Sequence, residues 1–284
     1  MADEGSGGPQ DPLDLRLDEL TAYETFTPFD QLYCRLMVAW SRETGGDAAP
    51  LRSACERLFE VELWYHQTLS HLGEQDRVSH EDLRSIADKR RINLTALVER
   101  VEATETTAAR AGVLRHLLLA ECHYHLREVP SVVADLQAAI ECGGGHPLVH
   151  FALGYNWFDY AREILTDSPA ADSEQAERRF RAACLRAVQA FRDGLTGQLF
   201  DAQLHLWIGR AFAAAGLLDE AEAAIETAAR IDPELLAQAR TGGEDEEAPG
   251  EVEGPPRPIS EDEVRRFGDL LRRSWRPQDL LDED

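Results

Sequence analysis

The clearest pattern in the chain reads Leu206-Trp-Ile-Gly-Arg-Ala-Phe212 and continues with Ala221, Ile225, Ala228 and Pro233. Large and small residues alternate here at the spacing that two packed helices require. Gly209 allows the helices to approach closely, and Phe212 and Ile225 fill the space between them. Gly216 suits the intervening turn, and Pro233 ends the second helix. The pattern therefore predicts a helical hairpin over residues 202–235.

This pattern resembles the tetratricopeptide repeat, a helix-turn-helix unit of about 34 residues that stacks into solenoids. In that family a large apolar residue stands beside a small one, an aromatic residue follows shortly after, and a proline closes the unit. The matching residues are Ile208, Gly209, Phe212, Ala221, Ile225, Ala228 and Pro233. His205 departs from the pattern, since the family usually has a bulky apolar residue there.

Two weaker copies of the repeat lie upstream. One has Leu153-Gly154 with Trp157, then Ala187 and Phe191; the other has Leu119-Ala120 with His123, then Val132, Leu136 and Ala139. A single repeat cannot bury its own faces, so about three copies are expected together. The alternative is a helical bundle whose alanine-rich helices match the pattern by chance.

Helical periodicity extends over residues 21–240, and no window alternates apolar and polar residues as strands do. The sequence thus predicts an all-α fold of antiparallel helical hairpins stacked as a short solenoid. Residues 113–240 would form the repeats, and residues 21–112 a helical region without a recognisable repeat. The predicted helices span 28–43, 50–72, 79–103, 106–127, 131–142, 147–166, 170–195, 201–215 and 219–231.

The two ends of the chain differ from this middle part. Residues 1–20 hold six acids and one base among glycines and prolines, a composition that predicts disorder. Residues 241–259 read as an acidic linker rich in proline and glycine. Beyond it, Ser260 and Glu263 form a capping box, which predicts a short amphipathic helix followed by an acidic tail over residues 260–284. Its apolar positions are Val264, Phe267, Leu270, Leu271 and Trp275.

This C-terminal helix is expected to dock, either on the chain's own body or on a partner. Six arginines from Arg257 to Arg276 favour the chain's own acidic body. Docked there, the helix would act as an autoinhibitor of the repeats or as a cap over the last one.

The chain of 284 residues carries 53 acids and 29 bases, a formal net charge of −24. Such a surface repels polyanions, which disfavours nucleic acids and anionic membranes as partners. The N-terminus lacks the basic start and apolar stretch of a secretory signal, and no window offers the ~18 apolar residues of a membrane span. Five widely spaced cysteines outside any C-x-x-C motif predict reduced thiols and a cytoplasmic protein. Lys89 is the only lysine, and this arginine bias indicates a GC-rich bacterial genome.

Motifs for catalysis or metal binding are weak. His146 and His150 stand one helical turn apart with Cys142 before them, a spacing that can bind a metal, but no further ligand converges on them by sequence. The glycines at 143–145 lack the lysine of a phosphate loop, and no G-x-S-x-G elbow occurs. The sequence therefore predicts no enzyme activity, no cofactor and no metal site.

Other polar residues indicate structural roles. His116 and His123 stand seven positions apart, as on one packed stripe, whereas His123 and His125 point to different sides of a helix. Glu60 and Glu62 are expected on a solvated face, which gives no support to a mechanism with two carboxylates. The basic triplet Lys89-Arg90-Arg91 is expected to form surface pairs with Glu81, Asp82 or Asp88.

The resemblance implies a concave groove, lined by the first helix of each repeat, that binds a peptide or a partner protein. Phe151, Tyr155 and Phe158 share one helix face, which suits a partner segment with apolar anchors, although burial between neighbouring helices is the commoner role of such aromatics. Arg210 stands nearly alone, so the family's carboxylate clamp is not expected. The groove residues are Leu117, Glu121, Tyr124 and His125 in the first copy, Leu148, Phe151, Tyr155, Phe158 and Asp159 in the second, and Gln203, Leu206 and Arg210 in the third.

The sequence therefore predicts a non-enzymatic adaptor or scaffold that binds a protein segment. One alternative is an assembly or regulatory subunit that acts through its outer surface and its C-terminal helix. A second alternative is a helical metal-binding protein or enzyme that uses the histidines. The identity of the partner lies beyond what a mode of contact can specify.

Overall fold

The computed structural model describes residues 11–23, 26, 28–44, 49–73, 79–167, 173–197 and 200–234. No strand occurs among these residues, and the prediction of an all-α fold is confirmed. The helices are α1 (Pro12–Leu20), α2 (Pro28–Glu43), α3 (Ala49–Gly73), α4 (His80–Glu102), α5 (Ala109–His125), α6 (Val129–Glu141), α7 (Pro147–Asp167), α8 (Ser173–Asp193), α9 (Phe200–Ala214) and α10 (Leu218–Ile231).

Helix α1 corrects the prediction of disorder through residue 20. The Asp11 side chain caps the helix by accepting a hydrogen bond from the backbone N–H of Leu13, at 3.0 Å. Leu13, Leu17 and Leu20 then form a stripe at helical spacing, and all three side chains are buried. Because acidic residues lie between these leucines, the overall composition of the segment does not reveal the stripe. Three buried leucines are nevertheless enough to hold one short helix against a neighbouring helix. Residues 1–10 lie outside the described residues.

The predicted linker 241–259 and the predicted C-terminal helix with its tail, 260–284, also lie outside the described residues. The same holds for the expected docking positions Val264, Phe267, Leu270, Leu271 and Trp275. These parts of the interpretation remain predictions.

The described residues form two compact units, which meet in sequence between Val149 and His150. In the first unit, α5 is the central helix and packs against α2, α3, α4 and α6. Its buried residues include both apolar and polar side chains, from Ala111 to His123. The predicted start of the repeats at residue 113 falls within this helix and remains a prediction.

The second unit contains most of α7 together with α8, α9 and α10. Close approach in the α9–α10 hairpin occurs at Gly209, where a Cβ atom would lie 2.6 Å from Cγ1 of Ile225 and 3.1 Å from the backbone oxygen of Ala221. Gly216 makes the turn between these helices with φ +78°, a conformation that favours glycine. Gly154 of α7 is equally confined, since its Cβ would lie 2.5 Å from the ring of Phe191 on α8.

None of the described helices has the length and apolar character that crossing a membrane requires.

A valine at position 209 tests the close approach of α9 and α10. We expect Gly209→Val to lower the free energy of unfolding by about 2–3 kcal/mol, because Ile225 or the helix itself must move to make room. Ala223→Val, at an exposed position of α10, is the matched control and should cost less than about 1 kcal/mol. Urea unfolding followed by circular dichroism measures both variants. Equal losses would contradict the close packing at Gly209.

Candidate functional site

The predicted groove residues of α5 do not form an open surface. Leu117 is fully buried and Glu121 is 8% exposed, so neither side chain can contact a partner in this arrangement. His125 is half-buried and belongs to a cluster of charged side chains, and Tyr124 alone is exposed, at 39%. The prediction of a groove lined by Leu117 and Glu121 is therefore wrong, because neighbouring helices cover α5 on this side too.

The predicted groove residues of α7 meet α9 around one indole ring. The rings of Phe151, Tyr155 and Phe158 lie 6.0, 5.2 and 6.1 Å from the ring of Trp207, centroid to centroid. All three contacts are edge-to-face, an arrangement that aromatic rings prefer. Phe151 is buried, whereas Tyr155, Phe158 and Trp207 keep part of their surface exposed.

Arg210 completes this cluster. Its guanidinium group lies 4.6 Å from the Trp207 ring centroid, in a cation-π contact. Burial lowers the pKa of Arg210, although an arginine remains charged in proteins. We call the half-buried side chains of Tyr155, Phe158, Trp207 and Arg210 the aromatic face.

The Trp207 indole N–H has no hydrogen-bond acceptor among the described residues, and its nitrogen is buried. A buried donor without an acceptor costs about 1–3 kcal/mol. The polar positions predicted beside the aromatic face are half-buried: Asp159 accepts a hydrogen bond from Arg162 at 2.7 Å, and Gln203 lies on the first turn of α9.

A buried charge cluster in the first unit was missed by sequence reasoning. Glu62 of α3 was expected on a solvated face, but it is 3% exposed. Arg90 of α4 was expected to pair along its own helix. It donates instead to both carboxylate oxygens of Glu62, with Nε 3.0 Å from Oε1. Arg91 pairs with Asp88 at 3.5 Å, as predicted.

His125 joins this cluster from α5. Its Nε2 lies 3.2 Å from Oε1 of Glu121 and 3.7 Å from Oε2 of Glu62. Its Nδ1 lies 2.8 Å from Nη2 of Arg90. Since arginine can only donate, neutral His125 accepts at Nδ1 and carries its proton on Nε2, facing the two carboxylates.

Burial and charge oppose each other at both ends of this contact. Burial would raise the pKa of Glu62, but His125 and Arg90 outweigh it and hold that pKa below its ordinary value. Burial would lower the pKa of His125, but Glu62 and Glu121 outweigh it and hold that pKa above its ordinary value. The cluster therefore joins α3, α4 and α5 through charges that need one another.

A second polar contact lies on another side of α5. Nδ1 of His116 and Nδ1 of His123 lie 3.1 and 2.8 Å from the two carboxylate oxygens of Asp135 on α6. The prediction that His116 and His123 share a face is confirmed, and so is the prediction that His123 and His125 point to different sides. The hydrogen bond to Asp135 raises the pKa of His123, and the charges of Glu128 and Glu102 add to this.

Two further features of the described residues concern metal ligands and thiols. Among the residues that the structure describes, no three His, Cys, Asp or Glu side chains are placed to hold a metal ion. The thiols of Cys34, Cys55, Cys122 and Cys184 are buried, and burial raises the pKa of each, to about 12 for Cys55 and Cys184. Thiols with such pKa values are protonated at neutral pH and are weak nucleophiles.

No protein-family model matches this chain, and no curated protein or solved structure matches it either. The aromatic face contains three half-buried aromatic rings, whereas Glu62, Glu121 and His123 of the two polar groups are buried.

Removing one charge of the buried cluster should lower the free energy of unfolding far more than removing a surface charge on the same helix. We expect Glu62→Gln to lower the free energy of unfolding by about 3 kcal/mol, because Arg90 stays buried without its carboxylate partner. Glu60→Gln is the matched control. Its carboxylate is 37% exposed and pairs with Arg16 and Arg57, so the expected loss is below about 1 kcal/mol. Denaturant unfolding compares them, and similar losses would contradict the role of the cluster.

The contact of His123 with Asp135 should give a defined pH dependence. Because the folded chain raises the pKa of His123, this contact contributes fully below the ordinary histidine value of about 6.5 and is lost as the pH rises through the folded value. Asp135→Asn should therefore cost more stability at pH 6 than at pH 8.5.

At acid pH, the loss of stability caused by Asp135→Asn should change with pH in the opposite direction. Burial would raise the pKa of Asp135, but its hydrogen bonds from His116 and His123 outweigh it and hold that pKa low. The cost of Asp135→Asn should thus shrink again as the pH falls through this lowered value. Asp88→Asn, at a 55% exposed carboxylate, serves as the control in the same unfolding measurements. A cost of Asp135→Asn that does not change from pH 6 to pH 8.5 would refute the contact.

Proposed function

We propose that this chain is a non-enzymatic interaction protein that binds an apolar segment of a partner protein on the aromatic face. The observation that carries the proposal is the set of rings around Trp207, which is only partly covered by the second unit. Its helices would act as tetratricopeptide-like hairpins, α7 with α8 and α9 with α10, whose first helices present the binding side chains.

The packing of both hairpins supports this interpretation. Gly209 faces Ile225 and Gly154 faces Phe191, so a small residue of each first helix lies against a large residue of the second. Ala221 and Ala228 are buried on α10, at 0% and 1% exposure, and Ile208 and Phe212 are buried on α9. Such pairs allow helices to stack closely and leave the first helices free to face a ligand.

The chemistry of the aromatic face favours an apolar anchor. Tyrosine, tryptophan and arginine dominate the binding energy of protein interfaces, because they combine a large apolar area with a polar end. The guanidinium group of Arg210 lies over the indole ring of Trp207. It places one positive charge at the edge of a surface that is otherwise aromatic. The unsatisfied N–H of Trp207 would gain an acceptor if partner binding turned the ring toward a carbonyl oxygen.

A peptide-display selection on the full-length chain tests the proposal directly. We expect enriched peptides with one or two large apolar residues, and we expect Tyr155→Ala and Phe158→Ala each to weaken their binding by at least tenfold, about 1.4 kcal/mol. Isothermal titration calorimetry with the selected peptides measures the change.

Two exposed apolar residues away from the aromatic face provide matched controls. Ile92→Ala on α4 and Leu185→Ala on α8 remove exposed apolar area of similar kind and should leave the affinity unchanged. Unfolding curves for all four variants verify that they fold. Peptides whose affinity falls with Leu185→Ala but not with Phe158→Ala would overturn the assignment to the aromatic face.

A further inference from the structure

Helix α8 has an excess of positive charge within a strongly acidic chain. It contains five arginines and three acids, whereas the whole chain has 29 bases and 53 acids. Arg178 pairs with an acid one turn earlier on the same helix, at 3.2 Å. The other four arginines form no ion pair with a carboxylate of the described residues. They are Arg179, Arg181, Arg186 and Arg192, and all four are exposed.

Three of these four guanidinium groups are positioned by aromatic side chains. Stacking on a ring orients the guanidinium plane and leaves its N–H donors available at the edge, which suits carboxylate recognition. The contacts are Arg186 at 4.7 Å from the Trp157 ring centroid, Arg192 at 5.2 Å from that of Phe212, and Arg179 donating to the Tyr160 hydroxyl at 3.4 Å.

An exposed leucine lies between these charges. Leu185 is 41% exposed, and helical spacing places Arg181 and Arg192 on one flank of it and Arg179 and Arg186 on the other. We call these five residues the arginine face. An apolar residue with guanidinium groups on both sides fits a segment that combines carboxylates with an apolar side chain.

We propose that the arginine face binds the chain's own acidic segment, residues 244–253. This segment contains six acids and no base, together with one branched apolar residue, Val252. Its charge is thus complementary to the four arginines that lack a carboxylate partner among the described residues. The contact is separate from the aromatic face, so it neither requires nor excludes partner binding there.

The length of the chain allows this contact. Nine residues lie between Glu234, the last described residue, and Glu244, and the ten Cα-to-Cα steps that join these two residues span up to about 33 Å when extended. Helix α8, with 21 residues, is about 31 Å long. Tethering raises the effective concentration of the segment to roughly millimolar, so several individually weak charge pairs suffice.

Distances between two spin labels in the full-length chain test the proposal. One label is placed on α8 with Ala182→Cys, an exposed position beside Arg181, and the other in the segment with Ala248→Cys. Cys142→Ser removes the half-buried native thiol, and the other four thiols are buried. Pulsed electron paramagnetic resonance then measures the distance distribution.

We expect a narrow distribution at low ionic strength, because the bound segment holds both labels on one helix face. A free tether would instead give a broad distribution of distances between the labels. In that case the segment would move over a random-coil span of roughly 20 Å from the end of the described chain. Salt at about 0.5 M shortens the Debye length well below 10 Å and should remove most of the narrow component.

Charge reversal identifies the arginines that bind. Arg181→Glu with Arg186→Glu should abolish the narrow component, whereas Arg84→Glu with Arg91→Glu, the same charge change on exposed positions of α4, should retain it. Circular dichroism verifies that both double variants fold. A broad distribution in the parent chain overturns the proposal, as does a narrow one that survives Arg181→Glu with Arg186→Glu. A narrow component that disappears when excess unlabelled chain is added shows binding between two copies and also overturns it.

Discussion

The first unit depends on the burial of α5, which neighbouring helices cover on nearly every side. A helix in this position has little solvent-exposed surface for polar side chains, so each buried one must find a partner or lower the stability of the fold. Glu121 pairs with His125, His125 also contacts Glu62 and Arg90, and His123 finds its partner in Asp135. The partners come from α3, α4 and α6, so one buried helix determines the positions of three others.

In the second unit, contacts between small and large residues position the helices, rather than buried charges. A glycine in α7 accommodates the ring of Phe191, and a glycine in α9 accommodates Ile225. Because these contacts have no room for another methyl group, they fix the distance between paired helices as firmly as an ion pair does. The aromatic face borders this packing, since Phe158 lies one turn from Gly154 on α7 and the Phe191 ring lies 6.2 Å from the Trp207 ring, centroid to centroid.

Features that depend on the spacing within one helix could be predicted from the sequence. The boundaries of most helices, the close approach at Gly209 and the shared face of His116 and His123 are of this kind. Contacts that depend on how two helices are rotated against each other could not be predicted. Glu62 and Arg90 each look like surface residues on their own helices, and only the packing of α3 against α4 brings them together. Leu117 was assigned to an open groove for the same reason, since its burial comes from helices distant in sequence.

Each unit holds a buried polar atom that makes no hydrogen bond among the described residues, Nε2 of His125 in the first unit and Nε1 of Trp207 in the second. The carboxylates around α5 are matched with arginine and histidine, as a rigid core requires. In the second unit, the indole N–H of Trp207 and the Oδ1 of Asn156 lack partners among the described residues. A buried group without a partner costs about 1–3 kcal/mol, and proteins tolerate such departures mainly at functional or strained sites. Trp207 is also the residue on which the three rings of α7 converge. Packing and polar satisfaction therefore single out the same residue of the second unit, and this is the residue on which the proposed binding face depends.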